Sequence, residues 1–398
     1  MHIISRIFVP PRQSYFLFGP RGTGKSTLIK KLYPGALKLD FLLPDLERSY
    51  IANPERIIEV LLARQNNIKR QPSDQSNIVV IDEVQRVPKI LAAIHAIIEN
   101  KDFDWQFVLT GSSARKLKMQ GIDLLAGRVL KCSLYPFVAS ELQDDFCLEN
   151  ILQYGSLPLL YNASDRSKTL QTYISLYLKE EIQQEGLVRN LENFTRFLEV
   201  ISFSHATTLN VSNIARECAV KRKTVESYIN ILEDLLLCFK ITIFSKRAKR
   251  ELSNHPKFYL FDCGVFRTLR PKGVLDRNEE IEGAALEGLV AANLLAWSEY
   301  SNNNTNIYFW RTRSGVEVDF IVYGENIFWA IEVKNSKKFN KQDLKSLENF
   351  LQDYPMSCGI FLYRGSEEIM INNILCMPCE KFLLSLKINQ TPQYNNHD

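Results

Sequence analysis

A glycine-rich stretch near the start of the chain has the spacing of a phosphate-binding loop. It reads GPRGTGKST over residues 19–27, with four residues between Gly19 and the Gly24-Lys25-Ser26 triplet. In this pattern backbone N–H groups surround a phosphate, the lysine reaches the β- and γ-phosphates of a nucleotide, and the serine hydroxyl ligates Mg²⁺. The candidate nucleotide-binding residues are Gly19, Pro20, Arg21, Gly22, Thr23, Gly24, Lys25, Ser26 and Thr27.

The segments beside this loop must be a strand and a helix if it is to hold a phosphate, because the start of a helix contributes free N–H groups. Residues 15–18 read YFLF, an apolar run that predicts a strand buried on both faces. Residues 26–32 have apolar side chains at helical spacing, and Pro34-Gly35 predicts the end of that helix. The flanks favour a nucleotide-binding loop over a structural turn, which is the alternative for the loop alone.

Two carboxylates end the next strongly apolar run. Residues 78–83 read IVVIDE, which predicts a buried strand ending at Asp82 and Glu83. Asp82 is expected to hold Mg²⁺, largely through water, and Glu83 to polarise the water that attacks ATP. Taken alone, the run is equally a strand that stops at an acidic turn. Together with the loop, it predicts a Mg²⁺-dependent ATPase.

Two further positions are candidates for contact with the γ-phosphate. Residues 105–110 predict another buried strand, and its polar end at Thr110, or Ser112 just beyond, is placed to sense the γ-phosphate. Arg128 lies between a predicted helix and a strand, where an arginine can neutralise the γ-phosphate in cis or from a neighbouring subunit. The alternative for Arg128 is a surface arginine favoured by the negative end of a helix dipole.

Five stretches in a fixed order resemble the prokaryotic AAA-plus-type ATPases that carry a C-terminal domain of unknown function similar to restriction endonucleases. These stretches are GPRGTGKST, VVIDEVQRVP, VLTGSSARKL, LAGR and LYPFVASEL. The resemblance extends over nearly the whole chain. It implies that Gly19 to Thr27, Asp82 and Glu83 form the site for ATP and Mg²⁺, and it leaves open whether the chain acts as a homo-oligomer or with a partner protein.

The middle of the chain has the pattern of a winged helix. Residues 209–236 predict two helices joined by a turn, and strand-like runs follow at 241–244 and 258–261. Its basic residues are Lys221, Arg222 and Lys223 at the start of the second helix and Lys246, Arg247, Lys249 and Arg250 between the strands. Such a helix and wing are suited to DNA phosphates, so DNA is an expected partner. The alternatives are a protein-docking or lid module and ordinary solvated charge.

In the last third of the chain the predicted order is helix, three strands, helix and strand, the core of the restriction-endonuclease-like fold. Alternate side chains of a strand share a face, which pairs Glu317 with Asp319 and Glu332 with Lys334. Asp319 and Glu332, with Glu287 from the preceding helix, are the expected ligands of Mg²⁺ or Mn²⁺, and Lys334 is expected to orient the attacking water. Asp319, Glu332 and Lys334 are therefore candidates for phosphodiester cleavage. A solvated strand face with ion pairs is the alternative.

Composition sets the outer bounds. A chain of 398 residues with 45% hydrophobic and 24% charged residues predicts a globular protein of several domains. The net charge of +4 means that any nucleic-acid surface must be local. Eight scattered cysteines indicate a reducing compartment, and neither a signal peptide nor a membrane span is apparent, so we expect a cytoplasmic protein without membrane partners.

The predicted fold class is α/β, with three domains and a tail. The domains are a P-loop NTPase domain with a parallel sheet at residues 1–140, a helical and winged-helix domain at 141–270 and a restriction-endonuclease-like domain at 271–386, and a polar tail follows at 387–398. Two functions fit this organisation. One is an ATPase that couples its nucleotide state to DNA binding and metal-dependent cleavage. The other is a regulatory ATPase whose remaining domains only bind DNA or a protein.

Overall fold

The chain forms two compact units, each with its own sheet. The N-terminal unit contains residues 8–135 and 234–236, and the second unit contains residues 1–7, 136–233 and 237–398. The structure, a computed structural model, describes residues 4–70, 75–100, 102–112, 115, 125, 127–178, 182, 190–246, 255–274, 276–301, 304–388 and 390.

The N-terminal unit is built on a five-stranded sheet whose strand pairings are all parallel. The strands are β1 (Tyr15–Phe18), β2 (Leu37–Asp40), β3 (Ile78–Asp82), β4 (Gln106–Gly111) and β5 (Leu130–Ser133). Its described helices are α1 (Lys25–Leu32), α2 (Pro44–Ala52), α3 (Arg56–Arg70) and α4 (Ile90–Glu99), with a 3₁₀ turn at Val84–Arg86. The predicted strand, loop and helix at the start of the chain are confirmed.

The order of the strands decides which loops meet. It is β2-β3-β4-β1-β5, so β4 stands between β1 and β3 and pairs with both. Because the strands are parallel, their C-terminal ends open on one edge of the sheet, where ligands of such sheets bind. The glycine-rich loop after β1, the carboxylates after β3 and the end of β4 therefore share this edge.

Burial on both faces explains why these strands are apolar throughout. Phe16, Phe18, Val79, Ile81 and Phe107 are almost completely buried in one core cluster. The intervening residues of β1, Tyr15 and Leu17, are also fully buried. Parallel strands connected by crossover helices are covered on both sides, which removes the alternation of polar and apolar residues.

Helices and a small hairpin make up the first part of the second unit. Its helices are α5 (Ala139–Leu142), α6 (Leu148–Tyr154), α7 (Pro158–Tyr161), α8 (Arg166–Thr172), α9 (Leu191–Ser202), α10 (Val211–Glu217) and α11 (Arg222–Asp234), with a 3₁₀ turn at Gln143–Asp145 and a π-helical turn at Tyr173–Leu178. Its strands are β6 (Thr207–Thr208), β7 (Cys238–Ile243) and β8 (Lys257–Leu260).

The rest of the second unit adds a larger set of strands. Its helices are α12 (Cys263–Leu269), α13 (Asn278–Tyr300), α14 (Lys345–Asp353) and α15 (Cys379–Ser385), with a 3₁₀ turn at Lys341–Leu344. Its strands are β9 (Asn306–Arg311), β10 (Glu317–Tyr323), β11 (Phe328–Val333), β12 (Cys358–Tyr363), β13 (Ile369–Ile371) and β14 (Ile374–Pro378). The expected order of elements is observed from α13 to β12, whereas β13, β14 and α15 were not predicted.

One sheet passes through the whole second unit, in the order β13-β14-β12-β11-β10-β9-β7-β8-β6. Strand β7 joins its two parts, because it pairs antiparallel with β8 and, through Thr242 and Ile243, parallel with β9. Phe244, directly after β7, is buried in the core with Trp310 and Phe350. The boundary expected near residue 270 therefore falls inside a single compact unit.

The long helix α13 shows why length alone does not make a membrane span. Its 23 residues exceed the roughly 20 that a bilayer requires, but glutamates recur along it. Within the described ranges, no helix is both long enough and apolar enough to cross a membrane.

Candidate functional site

Two glycines shape the loop between β1 and α1. Gly22 and Gly24 have φ angles of 84° and 85°, in the left-handed region that side chains disfavour. Gly24 is the N-cap of α1, and no side chain caps the helix there. Because the first N–H groups of a helix lack partners within the helix, they can point at a bound anion.

Gly19 lets the chain pass close to the backbone of Leu134 as it leaves β1. A Cβ atom at this position would lie 2.5 Å from the carbonyl oxygen of Leu134, just after β5. The hydroxyl of Thr23, which is fully buried, donates a hydrogen bond of 2.8 Å to the carbonyl of Pro20. The Thr23 side chain therefore ties the loop to its own backbone.

The lysine of the motif lies over the loop. Lys25 is largely buried, and its Nζ donates to the carbonyl oxygens of Gly19 at 2.6 Å and Pro20 at 3.2 Å. Its ammonium is therefore positioned on the concave side of the loop by backbone oxygens. The side chains of Arg21, Ser26 and Thr27 are exposed around it.

The two groups expected to hold Mg²⁺ lie in contact. The Ser26 hydroxyl on α1 donates a hydrogen bond of 2.9 Å to Oδ2 of Asp82, the last residue of β3. Mg²⁺ keeps several waters and takes few protein ligands beside the phosphates, so one hydroxyl and one carboxylate are a sufficient protein contribution. The hydroxyl of Ser26 and the carboxylate of Asp82 therefore fit a Mg²⁺ ion.

Thr110 has a different role from the expected one. It is fully buried at the end of β4, where its hydroxyl donates to Oδ1 of Asp82 and accepts the backbone N–H of Glu83 at 3.2 Å. A hydroxyl has one proton to donate. The expectation that Thr110 senses the γ-phosphate directly is therefore corrected, because its proton is used by Asp82. It positions the two carboxylates instead.

Gln85 holds the side chain of Glu83 and was missed from the sequence. Glu83 has a φ of 59° and starts the 3₁₀ turn, which brings Gln85 back beside it. The Gln85 amide Nε2 donates to Oε2 of Glu83, and a Cβ on Gly111 would lie 2.5 Å from the Gln85 Oε1. The only sequence signal was an amide residue two positions after the glutamate.

Arg128 lies at the wrong edge of the sheet to act on its own loop. It precedes β5, whose first residue, Leu130, pairs with Tyr15 at the beginning of β1. Its guanidinium pairs with Glu99, the last residue of α4. The expected contact with a γ-phosphate in cis is therefore corrected, since Gly19 follows the other end of β1. A contribution to a neighbouring subunit stays a prediction.

In the second unit, the carboxylates expected to bind metal surround a lysine. The Nζ of Lys257, at the start of β8, donates to Glu287 Oε1 at 2.9 Å and to Asp319 Oδ1 at 3.0 Å, and it also contacts Glu317 Oε1. The Lys257 side chain is only 2% exposed. The sequence reading assigned this residue to no site, because it lies in the hairpin region and far along the chain from the carboxylates.

Burial and crowding alter the protonation of this cluster. Burial, followed by the charge of Asp319, raises the pKa of Glu287 to about 7 and the pKa of Glu332 well above its usual range. Burial lowers the pKa of Lys257, but the carboxylates, Glu287 first, outweigh that effect and raise it overall. These shifts favour the charged form of Lys257 and the protonated form of Glu332.

The expected metal trio is corrected by this arrangement. Glu287, Asp319 and Glu332 do come together, but the ammonium of Lys257 lies among them, and the second oxygen of Asp319 accepts the N–H of Val333 at 2.9 Å. Among the residues that the structure describes, no group of three or more His, Cys, Asp or Glu side chains is placed to hold a metal ion.

Lys334 also departs from expectation. It lies just beyond the end of β11, and its Nζ pairs with Oδ1 of Asp343 at 3.1 Å, with half of the lysine side chain exposed. The shared face predicted for Glu332 and Lys334 therefore does not bring the lysine to the cluster. Its expected role in orienting a water is corrected accordingly.

The basic residues at the start of α11 are accessible. Lys221, Arg222 and Lys223 are all exposed. Arg222 pairs with Glu226 one turn further along, at 2.9 Å, and the Arg222 side chain remains largely in solvent while that of Glu226 is half-buried. Such an exposed pair contributes little to stability, so it leaves the arginine available to other anions.

The basic run between β7 and β8 is anchored at its beginning. The Lys246 ammonium lies 4.3 Å from the ring centroid of Tyr323, and the Lys246 carbonyl accepts a hydrogen bond of 3.2 Å from Tyr354. Arg247, Lys249 and Arg250 lie outside the described residues. The expected contact of this run with DNA stays a prediction.

Three consecutive segments of the chain match family models. Residues 11–143 match a family described as an AAA domain. Residues 146–276 and 282–382 match two families described as domains of unknown function, DUF8612 and DUF4143. The first match covers the entire parallel sheet and its edge of loops, and it implies nucleotide binding of the ATPase type.

Several proteins are similar to this chain over most of their length. The uncharacterized protein Rv2008c of Mycobacterium tuberculosis is 23% identical over 381 residues, which cover 94% of this chain and 82% of that protein. The uncharacterized protein MJ1544 of Methanocaldococcus jannaschii is 21% identical over 399 residues, covering 91% and 85%. The similarity extends beyond the AAA domain, so these relatives share the combination of segments.

Proposed function

We propose that the N-terminal unit binds ATP with Mg²⁺ and hydrolyses it. The observation that carries this proposal is the hydrogen bond between Ser26 and Asp82, which joins the glycine-rich loop to the acidic strand end at one edge of the sheet. In the sequence, the loop and the acidic strand end occur independently of each other. A glycine-rich turn with only a structural role is not expected to lie against a carboxylate. The AAA-domain match over residues 11–143 supports the same function.

Each residue has a distinct task in this proposal. The N–H groups of the loop and of the start of α1 bind the phosphates, and Lys25 exchanges its bonds to Gly19 and Pro20 for phosphate oxygens. Ser26 and Asp82 would hold a Mg²⁺ ion, which would supply positive charge beside the phosphates. Glu83, oriented by Gln85, accepts a hydrogen bond from the attacking water and so aligns it.

A second activity is proposed for the basic start of α11. The order α9, β6, α10, α11, β7 and β8, with β8 pairing antiparallel with both β6 and β7, agrees with a winged helix. The exposed Lys221, Arg222 and Lys223 precede or begin the helix that such domains place on DNA. ATP binding would then be coupled to DNA binding, while a regulatory ATPase that docks a protein through this helix is the alternative.

The first prediction separates ATP binding from hydrolysis. Lys25→Ala removes a charged hydrogen bond to phosphate and should weaken ATP binding roughly 10- to 100-fold. Glu83→Gln keeps the size of the side chain but loses its basic oxygen, so it should bind ATP normally and lower kcat roughly 10²- to 10⁴-fold. Lys30→Ala, an exposed lysine later on α1, is the matched control. Wild-type kcat and affinity in both variants would contradict the ATPase proposal.

The second prediction concerns Gln85, which acts through Glu83. Gln85→Leu replaces the amide with an apolar group of similar size, so the free energy of unfolding should change little, since the Gln85 Oε1 is buried without a hydrogen-bond partner among the described residues. We expect kcat to fall roughly 10- to 100-fold while KM for ATP stays the same. Gln153→Leu, an exposed glutamine on α6, is the control. An unchanged kcat would show that Glu83 needs no such support.

The third prediction tests DNA as the ligand of α11. Replacing Lys221, Arg222 and Lys223 with alanine should weaken binding of duplex DNA and flatten the plot of log K against log salt by about 0.9 per lost phosphate contact. The control is Lys337→Ala with Lys338→Ala, two exposed lysines elsewhere in the second unit. If wild-type protein does not bind DNA, or the slope is the same in both variants, the protein-docking alternative is preferred.

A further inference from the structure

The carboxylate cluster of the second unit has a cation built into it. Glu287 comes from α13, and Glu317 and Asp319 come from β10, three positions that meet at one point. A lysine ammonium has three protons to donate. At Lys257 all three carboxylates are contacted by Nζ, which lies within 3.0 Å of both Glu287 and Asp319.

Both oxygens of Asp319 and of Glu317 are engaged and Glu287 Oε1 accepts a second donor, whereas Glu332 Oε2 is buried without a hydrogen-bond partner among the described residues. Tyr259 donates its hydroxyl to Glu287 Oε1 at 2.7 Å, and Val333 donates its N–H to Asp319 Oδ2 at 2.9 Å. Arg311 pairs with Glu317 Oε2 at 3.1 Å. A divalent ion requires several free oxygen ligands around one centre. At Asp319 and Glu317, donors from the protein already use both carboxylate oxygens, and the Lys257 ammonium adds a positive charge that repels such an ion.

The backbone keeps the ammonium in place. Lys257 pairs with Ile241 of β7 on one side and with Thr208 of β6 on the other. Its side chain then runs past the ring of Phe309, which lies 5.8 Å from Nζ. A lysine on a loop could swing away from the carboxylates, whereas this one is fixed between two strand partners of the same sheet.

We infer that Lys257 takes the place of a divalent metal ion among these carboxylates, so that this cluster binds no divalent ion. The residues do not fit a metal, although three of the expected ligands are present. The same ammonium ties the β7–β8 hairpin to α13 and β10, because one charge neutralises carboxylates from both of those elements. The inference is independent of the proposed ATPase.

Binding of Mn²⁺ to the full chain tests the inference. All proteins carry Lys25→Ala and are free of nucleotide, so that the loop of the N-terminal unit contributes little. Free Mn²⁺ is measured by electron paramagnetic resonance. We expect the proteins with and without Asp319→Asn to bind the same amount of Mn²⁺. Binding of Mn²⁺ that depends on Asp319, or DNA cleavage with Mn²⁺ that depends on it, would overturn the inference.

The complementary variant removes the built-in cation. Lys257→Met should lower the melting temperature without metal and should create a Mn²⁺ site that raises it roughly 5–10 °C at 100 times Kd. The rise should disappear in the double variant Lys257→Met, Asp319→Asn. A folded Lys257→Met protein that gains no Mn²⁺ binding would overturn the inference. If this variant does not fold, the wild-type comparison with Asp319→Asn decides alone.

Discussion

The carboxylate of Asp82 is the point on which the N-terminal site depends. It accepts hydrogen bonds from Ser26 on the helix after the loop and from Thr110 on the strand between. The start of α1, the end of β4 and the end of β3 therefore meet at one carboxylate at one edge of the sheet. Thr110 reaches Asp82 because β4, on which Thr110 lies, is next to β3 in the sheet. Ser26 reaches the same carboxylate from α1, which follows the loop after β1.

The same physical rule operates in the second unit with the charges reversed. There a cation, Lys257, is the shared partner, and carboxylates from a helix and a strand converge on it. Burying an unpaired charge is costly, so each cluster is stable only when complete. In the N-terminal unit the shared group, Asp82, is half-buried, and its hydrogen bond with Ser26 is exposed to solvent. In the second unit the shared group, Lys257, is buried by the protein itself. The two clusters therefore differ in how accessible their shared group is to a ligand.

Local patterns predicted the elements well, and non-local pairing explains the errors. The strand at residues 15–18, the strand that ends in Asp82 and the strand at residues 358–363 follow from apolar runs bounded by turn residues. The partners of Thr110 and Lys257 could not be read in this way, because strand order and register decide them. Residues distant along the chain become neighbours only in the folded sheet, and no spacing rule records that.

Arg128 also shows that sequence patterns do not give the spatial neighbours of a residue. Its position before a strand was predicted correctly, but the direction of β5 puts it at the edge away from the loop. Lys334 likewise follows the alternation of a strand that ends one residue earlier. Periodicity holds only while the element lasts, and a residue at its boundary is free to take another partner, here Asp343.

Calorimetric titration of ATP into the full chain, with and without Mg²⁺, tests the central claim most directly. The joined loop and carboxylate predict one ATP per chain, bound more tightly when Mg²⁺ is present, because Ser26 and Asp82 hold the ion beside the phosphates. Absence of ATP binding, or binding with the same affinity whether or not Mg²⁺ is present, would contradict the account.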